Sequence, residues 1–72
     1  MKILVPLADG FEEIEAMNVI DILRRAGIDV VTAGLKEGLA EGAHGVKVQP
    51  DTTLDRIHQQ DFDGTVLPGG AP

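Results

Sequence analysis

The 72-residue sequence predicts an α/β fold built on a mostly parallel sheet, of which this chain forms the N-terminal portion. Strand and helix signals alternate along the chain, which is the pattern of βαβ units. The strand segments are apolar enough to be covered on both faces, as in parallel sheets. Because an open parallel sheet needs more strands and helices than 72 residues supply, we expect residues 1–72 to be part of one larger domain.

The first strand is predicted over residues 2–8, a nearly continuous apolar run. Pro6 removes one ladder hydrogen bond, so it fits a bulge or the last residues of the strand better than the centre. Asp9 and Gly10 predict a turn. Asp9 is expected to cap the next helix, with Glu12 as the capping-box partner three residues later.

The first helix is predicted over residues 11–26 and ends at Gly27. Arg24 and Arg25 fall in its last turn, where cations stabilise the helix dipole. Residues 28–35 predict the second strand, which completes a right-handed βαβ unit. Four shorter segments are expected after it: a loop over 36–45, a strand over 46–48, a helix over 54–59 capped by 51–53, and the third main strand over 65–67.

Composition and charge exclude several functional classes for this segment. A net charge of −6, a pI near 4.5 and the absence of Trp and Tyr argue against nucleic-acid binding. The 72 residues contain no cysteine, hence no disulfide and no thiolate metal site. The longest apolar run falls well short of the ~20 residues of a membrane span, so we expect a cytoplasmic protein without a membrane partner.

The sequence also lacks the common cofactor and metal patterns. Neither G-x-G-x-x-G nor a P-loop is present, so nicotinamide cofactors and nucleoside triphosphates have no support, and no cofactor is predicted. His44 and His58 are far apart and do not have the spacing of metal ligands. Isolated histidines of this kind are expected at the surface or in loops.

Glu15 is the carboxylate that the helical pattern singles out. At about 100° per residue, positions 16, 19, 20, 23 and 26 define the core face, and Glu15 lies on its border. This helix begins just past the carboxyl end of the first strand, at the edge where open α/β sheets bind ligands. Glu15 is therefore an acid/base candidate. The alternative is that it only complements the helix dipole, the role we assign to Glu12 and Glu13 as surface residues.

Gly69 and Gly70 follow the third predicted strand, directly after Leu67 and Pro68. Adjacent glycines leave successive backbone N–H groups unobstructed, which suits an anion or a developing oxyanion. The alternative is an ordinary turn at the end of a strand. Their position at the carboxyl end of a central strand favours the functional interpretation.

Several segments together resemble the N-terminal part of the ThiJ/PfpI superfamily: LADGFEEIEA (7–16), LRRAGIDV (23–30), TAGL (32–35), PDTTLD (50–55) and VLPGG (66–70). The most similar branch is that of the parkinsonism-associated deglycase and its bacterial relatives. The resemblance implies a flavodoxin-like three-layer α/β sandwich, related to the class I glutamine amidotransferase fold and usually homodimeric.

The resemblance also implies site residues. Glu15 matches the family's acidic residue that hydrogen-bonds a reactive cysteine, and Gly69 and Gly70 match its oxyanion-hole glycines. Arg25 matches an arginine near the dimer interface and active site, and His44 loosely matches a basic loop residue. The family's cysteine lies downstream of L-P-G-G, so the 72 residues alone are expected to be inactive and unable to fold stably by themselves.

By resemblance, the parent protein is a cysteine-dependent hydrolase or lyase that acts on reactive carbonyls or glycated substrates, as a deglycase or a cofactor-free glyoxalase. One alternative is a redox sensor or chaperone, in which the same groups stabilise an oxidised cysteine. Another is an amidotransferase-like enzyme or a peptidase of the same family.

Overall fold

The computed structural model describes residues 1–69. Its elements are β1 (Lys2–Leu7), α1 (Glu13–Arg25), β2 (Asp29–Gly34), β3 (Ala40–Glu41), β4 (Lys47–Val48), β5 (Thr52–Thr53) and β6 (Gly64–Thr65), with single 3₁₀ turns at Leu54–Arg56 and Gln59–Asp61. In this part of the chain, no helix combines the length and apolarity needed to cross a bilayer.

The main sheet has four parallel strands in the order β5-β2-β1-β6. β1 pairs with β2 along its whole length, from Lys2 opposite Asp29 to Leu7 opposite Gly34. On its other side β1 pairs with β6, through Ile3 opposite Gly64 and Leu4 opposite Thr65. The predicted parallel α/β sheet is thus confirmed, and the strand order reverses direction at β1.

Helix α1 carries the crossover from β1 to β2 and packs on the sheet through its small and branched apolar residues. Ala16 and Ile20 are buried against Val5, Leu7 and Val30, within a core that also contains Phe11 and Ala40. The helix ends where Gly27 adopts φ 81°, a conformation that favours glycine, and its N–H donates to Arg24 O at 3.0 Å. The predicted end of the helix is therefore confirmed.

The predicted start of the helix is wrong. Glu12, and not Asp9, is the N-cap: its Oε1 accepts from Ile14 N at 2.7 Å and from Glu15 N at 3.3 Å. Phe11 explains the delay, because its side chain is buried in the core and the chain must turn through Gly10 before the helix can begin. The Asp9 carboxylate instead accepts from Glu41 N at 3.0 Å.

The later elements differ from the prediction where tertiary pairing intervenes. The expected loop over 36–45 contains β3, which pairs with β4 in a small antiparallel hairpin. The expected helix over 54–59 is only two 3₁₀ turns, because Thr52 and Thr53 extend the main sheet as β5. Asp51 binds Thr32 on β2 instead of capping a helix, accepting from its N–H at 2.9 Å. The third strand covers residues 64–65 rather than 65–67.

Replacing Leu7 by alanine should destabilise the protein strongly. Leu7 is 1% exposed at the end of the central strand, so truncation leaves a cavity and costs about 2–5 kcal/mol. Leu35→Ala is the control, because Leu35 is 65% exposed and its loss should cost no more than about 0.5 kcal/mol. Denaturant unfolding of both variants measures the difference, and equal losses would contradict this packing of the core.

Candidate functional site

The candidate site lies where the carboxyl ends of β1 and β6 meet the first turn of α1. Because these two strands are parallel, the segments that follow them leave the sheet at the same edge. After β1 the chain adds β2 and β5 on one side of this strand and then β6 on the other side. Open α/β sheets form a crevice at such a change of side. Glu15 lies in the first turn of α1, and Gly69 lies in the segment after β6.

Two hydrogen bonds join Gly69 to this turn. Gly69 N donates to Glu15 Oε1 at 3.1 Å, and Glu12 N donates to Gly69 O at 2.6 Å. A Cβ at position 69 would lie 2.9 Å from both carboxylate oxygens of Glu15, so any other residue there would displace this carboxylate from its present position. Thus the structure brings together two residues that the sequence analysis proposed for one site, while Gly70 lies outside the described residues.

Glu15 is exposed, although the helical pattern placed it on the border of the core face. The sheet packs against the helix face that contains Ala16 and Ile20. Ile22 lies two turns after Glu15 on a neighbouring face and is 60% exposed, so that face is turned towards solvent. The carboxylate is therefore accessible from solvent while one of its oxygens accepts the Gly69 N–H.

Glu13 is a site residue that the sequence analysis missed. The sequence pattern predicted a surface residue at this position, whereas Glu13 is only 8% exposed. Its Oε2 accepts from His44 N at 2.6 Å and Val46 N at 3.3 Å, and its Oε1 lies 2.9 Å from His44 Nδ1. The β3–β4 hairpin buries it by folding over the first turn of α1. In the sequence, the only indication of this hairpin was the pair of glycines in its turn.

The Glu13 carboxyl has a perturbed pKa. Burial raises this pKa, but hydrogen bonds from the His44 side chain and from the backbone N–H groups of Glu13, His44 and Val46 outweigh burial and lower it to about 2. The hydrogen bond to the Glu13 carboxylate, together with the negative charge of that group, raises the pKa of His44. Burial opposes this increase, and the charge of Glu12 adds to it. Glu13 and His44 therefore form a charged pair over a wide pH range.

Glu12, Glu13 and His44 offer three potential metal ligands within 4.8 Å of one another. Glu12 Oε1 already accepts helix N–H groups, and both oxygens of Glu13 are hydrogen-bonded to the hairpin. The positive end of the helix dipole also opposes a cation at this position. The two carboxylates and the His44 ring are therefore better explained by the hydrogen bonds that they form than by a metal ion.

The remaining candidates lie apart from Glu15. Arg25 binds Asp21 through its Nε at 3.1 Å and is exposed at the far end of α1, a rise of about 15 Å from Glu15. His44 lies in the hairpin turn, beside Glu13. His58 is exposed, just before the second 3₁₀ turn, as expected of an isolated histidine.

The motifs and fold described above match a known family. The sequence model of the DJ-1/PfpI family matches residues 1–72. This chain belongs to the DJ-1/PfpI family. The resemblance noted from the sequence is therefore confirmed over the whole chain.

Relatives and solved structures agree with the DJ-1/PfpI assignment. The chain is 43% identical over 72 residues to DJ-1 homolog B of Arabidopsis thaliana, covering 99% of this chain and 16% of the relative. It is 37% identical over 70 residues to a Thermococcus kodakarensis protein named a deglycase, covering 97% of this chain and 42% of the relative. The structure of oxidized Toxoplasma gondii DJ-1 matches with a TM-score of 0.92 and 40% identity, covering 99% of this chain and 39% of that chain.

Two consequences follow from these matches. The predicted flavodoxin-like α/β class is confirmed, because solved DJ-1 structures share the fold of this chain. The chain also spans less than half the length of the relatives to which it was compared.

The contact between Glu13 and His44 predicts a bell-shaped dependence of stability on pH. The lowered pKa of Glu13 means that its contribution is complete above its ordinary value of 4.5 and is lost as the pH falls towards about 2. The raised pKa of His44 means that its contribution is complete below 6.5 and is lost as the pH rises through the raised value. The pair should therefore stabilise the protein most between these two ordinary values.

Melting temperatures of the wild type and of His44→Gln, measured from pH 3 to pH 9, check this expectation. The difference between them should be largest near pH 5.5 and should shrink towards both ends of the range. His58→Gln is the matched control, because His58 is an exposed histidine outside the contact. A difference that stays constant with pH would show that the ion pair does not form.

Proposed function

We propose that this chain is the N-terminal part of a single DJ-1/PfpI domain, and that the full-length protein is a cysteine-dependent hydrolase or lyase acting on reactive carbonyls. The observation that carries the proposal is the contact between Glu15 and Gly69, which joins a solvent-accessible carboxylate to a backbone donor at the ligand-binding edge of the sheet. Deglycase names among the relatives support the substrate class.

The proposed role of Glu15 is to hold the proton of a thiol. The 72 residues contain no cysteine, so the thiol comes from the remainder of the protein. A thiolate is the reactive form, and it needs a partner that takes or shares its proton. Glu15 is suited to this role because it is accessible and because the N–H of Gly69 leaves it further acceptor capacity.

The proposed role of Gly69 is to stabilise negative charge on oxygen. When the thiolate forms a C–S bond with a carbonyl carbon, the π electron pair moves to the carbonyl oxygen, and that oxyanion needs hydrogen-bond donors. Once Glu15 carries the thiol proton it is a weaker acceptor, so the Gly69 N–H can also donate to the oxyanion from its place beside Glu15, and Gly70 is the proposed second donor. The proton held by Glu15 can then neutralise the oxyanion, so that charge and protons balance.

The wider assignments rest on the family resemblance. We propose a cytoplasmic homodimer that acts on small carbonyls such as methylglyoxal, or on their adducts, by deglycase or glyoxalase-like chemistry. Arg25 and His44 would lie near the subunit interface or the site. The exposure of both side chains supports this placement, since each is accessible to a partner.

Glu15→Gln in the full-length protein should lower methylglyoxal turnover about 10²- to 10⁴-fold, the usual contribution of a positioned acid/base group. The same change should raise the pKa of the thiol, because the partner that shares its proton is lost. Stopped-flow turnover and the pH dependence of thiol alkylation measure the two effects.

Glu37→Gln is the control for this experiment, because Glu37 is an exposed glutamate whose carboxylate pairs with Arg56 and not with Gly69. It should leave turnover and thiol pKa unchanged. Wild-type turnover in Glu15→Gln would remove the basis of the proposed function.

A redox sensor or chaperone is the second candidate function. The compared Toxoplasma gondii DJ-1 structure is of an oxidized protein, which favours this candidate. A cysteine oxidised to a sulfinate would be stabilised by the same donors that stabilise an oxyanion. Peroxide treatment followed by intact mass measurement distinguishes the two: stoichiometric addition of oxygen to the cysteine with negligible carbonyl turnover would favour the sensor.

A further inference from the structure

The β3–β4 hairpin is fastened to the chain just before α1 by backbone and side-chain hydrogen bonds. Gly10 N donates to Glu41 O and Ala43 N donates to Phe11 O, each at 2.8 Å. Glu41 N donates to Asp9 Oδ1 at 3.0 Å. The hairpin therefore covers the segment that leads from β1 into the helix.

Glu13 lies at the centre of this contact. Its carboxylate accepts from the backbone of His44 and Val46 and from the His44 ring, so one side chain binds two residues of the hairpin turn. Gly42 packs directly on it, since a Cβ at that position would overlap the carboxylate. The position of the Glu13 carboxylate is thus determined by the hairpin from several sides.

The same helical turn carries the candidate site. Glu12 and Glu15 lie one residue before and two residues after Glu13, and both bind Gly69. A rotation or shift of this turn would move the Glu15 carboxylate relative to the Gly69 N–H. A displacement of about 1 Å is enough to cost up to about 10²-fold in rate in an enzyme site.

We propose that Glu13 is a positioning residue, which locks the first turn of α1 to the β3–β4 hairpin and so holds Glu15 against the Gly69 N–H. The consequence for turnover rests on the function proposed above, whereas the geometric consequence does not. His44 strengthens the lock, because its ring and its backbone N–H bind different oxygens of Glu13.

The chemistry of the contact requires a carboxylate at position 13. All three groups that Glu13 binds can donate a hydrogen bond, and a carboxylate has two acceptor oxygens for them. Glutamine has one acceptor oxygen, and its NH₂ group would face a donor. Glu13→Gln keeps the volume of the side chain but removes one of the two acceptor oxygens, so it tests the contact without creating a cavity.

The test uses the full-length protein and two readouts. The first is hydrogen exchange of the Gly69 amide by NMR, which should become several-fold faster in Glu13→Gln because Glu15 no longer holds that N–H. The second is methylglyoxal turnover, in which kcat should fall roughly 10- to 100-fold at a temperature where the variant stays folded, with a smaller change in KM.

His44→Gln is the second variant, which keeps the backbone contacts and removes only the ring contact, so it should change both readouts in the same direction by less. It also allows the test if Glu13→Gln does not fold. Glu37→Gln is the matched control and should change neither readout, because Glu37 is exposed and pairs with Arg56.

The outcomes separate the positioning role from the proposed function. Faster exchange at Gly69 with lowered kcat supports both. Faster exchange with full turnover in both Glu13→Gln and Glu15→Gln leaves the positioning role standing and overturns the function. Unchanged exchange at Gly69 in folded Glu13→Gln and His44→Gln, with only a lowered melting temperature, would overturn the positioning role.

Discussion

A buried carboxylate must be matched by hydrogen-bond donors, and at Glu13 this requirement organises the carboxyl edge of the sheet. The donors come from the hairpin turn around His44 and Val46, which are distant from Glu13 in sequence. The negative charge of Glu13 also suits the start of a helix, where the backbone N–H groups of the first turn point outward. One side chain therefore couples the helix, the hairpin and the chain between β1 and α1.

The central strand explains why this edge carries the candidate site. β1 pairs with β2 on one side and with β6 on the other, so both its own extension and that of β6 end beside the first turn of α1. Residues separated by 54 positions, Glu15 and Gly69, meet there through a single hydrogen bond. The parallel sheet creates this meeting point, and the start of the helix supplies its carboxylates.

The parts of the structure that depend on local pattern were predictable from the sequence. Continuous apolar runs indicated β1 and β2, Gly27 indicated the helix end, and the shared sheet edge indicated that Glu15 and Gly69 would be neighbours. The choice of Glu12 over Asp9 as N-cap was not predictable, because it depends on the burial of Phe11 in the finished core.

Long-range pairing accounts for the other misses. Glu13 is buried only because a hairpin of two-residue strands folds over it, and strands this short leave almost no periodic signal. The expected helix after Asp51 gave way because Thr52 and Thr53 gain a strand partner in β2, which outweighs a weak local preference.

The glycines of this chain are required for two unrelated reasons. At Gly27 the backbone is left-handed and the space around the Cα is open, so the cost of a side chain is conformational and a D-amino acid would avoid it. Gly42 and Gly69 instead leave room for the carboxylates of Glu13 and Glu15, which the Cβ of an L-residue would approach too closely. Shortening the facing glutamate would make room at these two positions and would do nothing at Gly27. Gly42 and Gly69 are therefore each coupled to one particular side chain, whereas Gly27 is coupled to none.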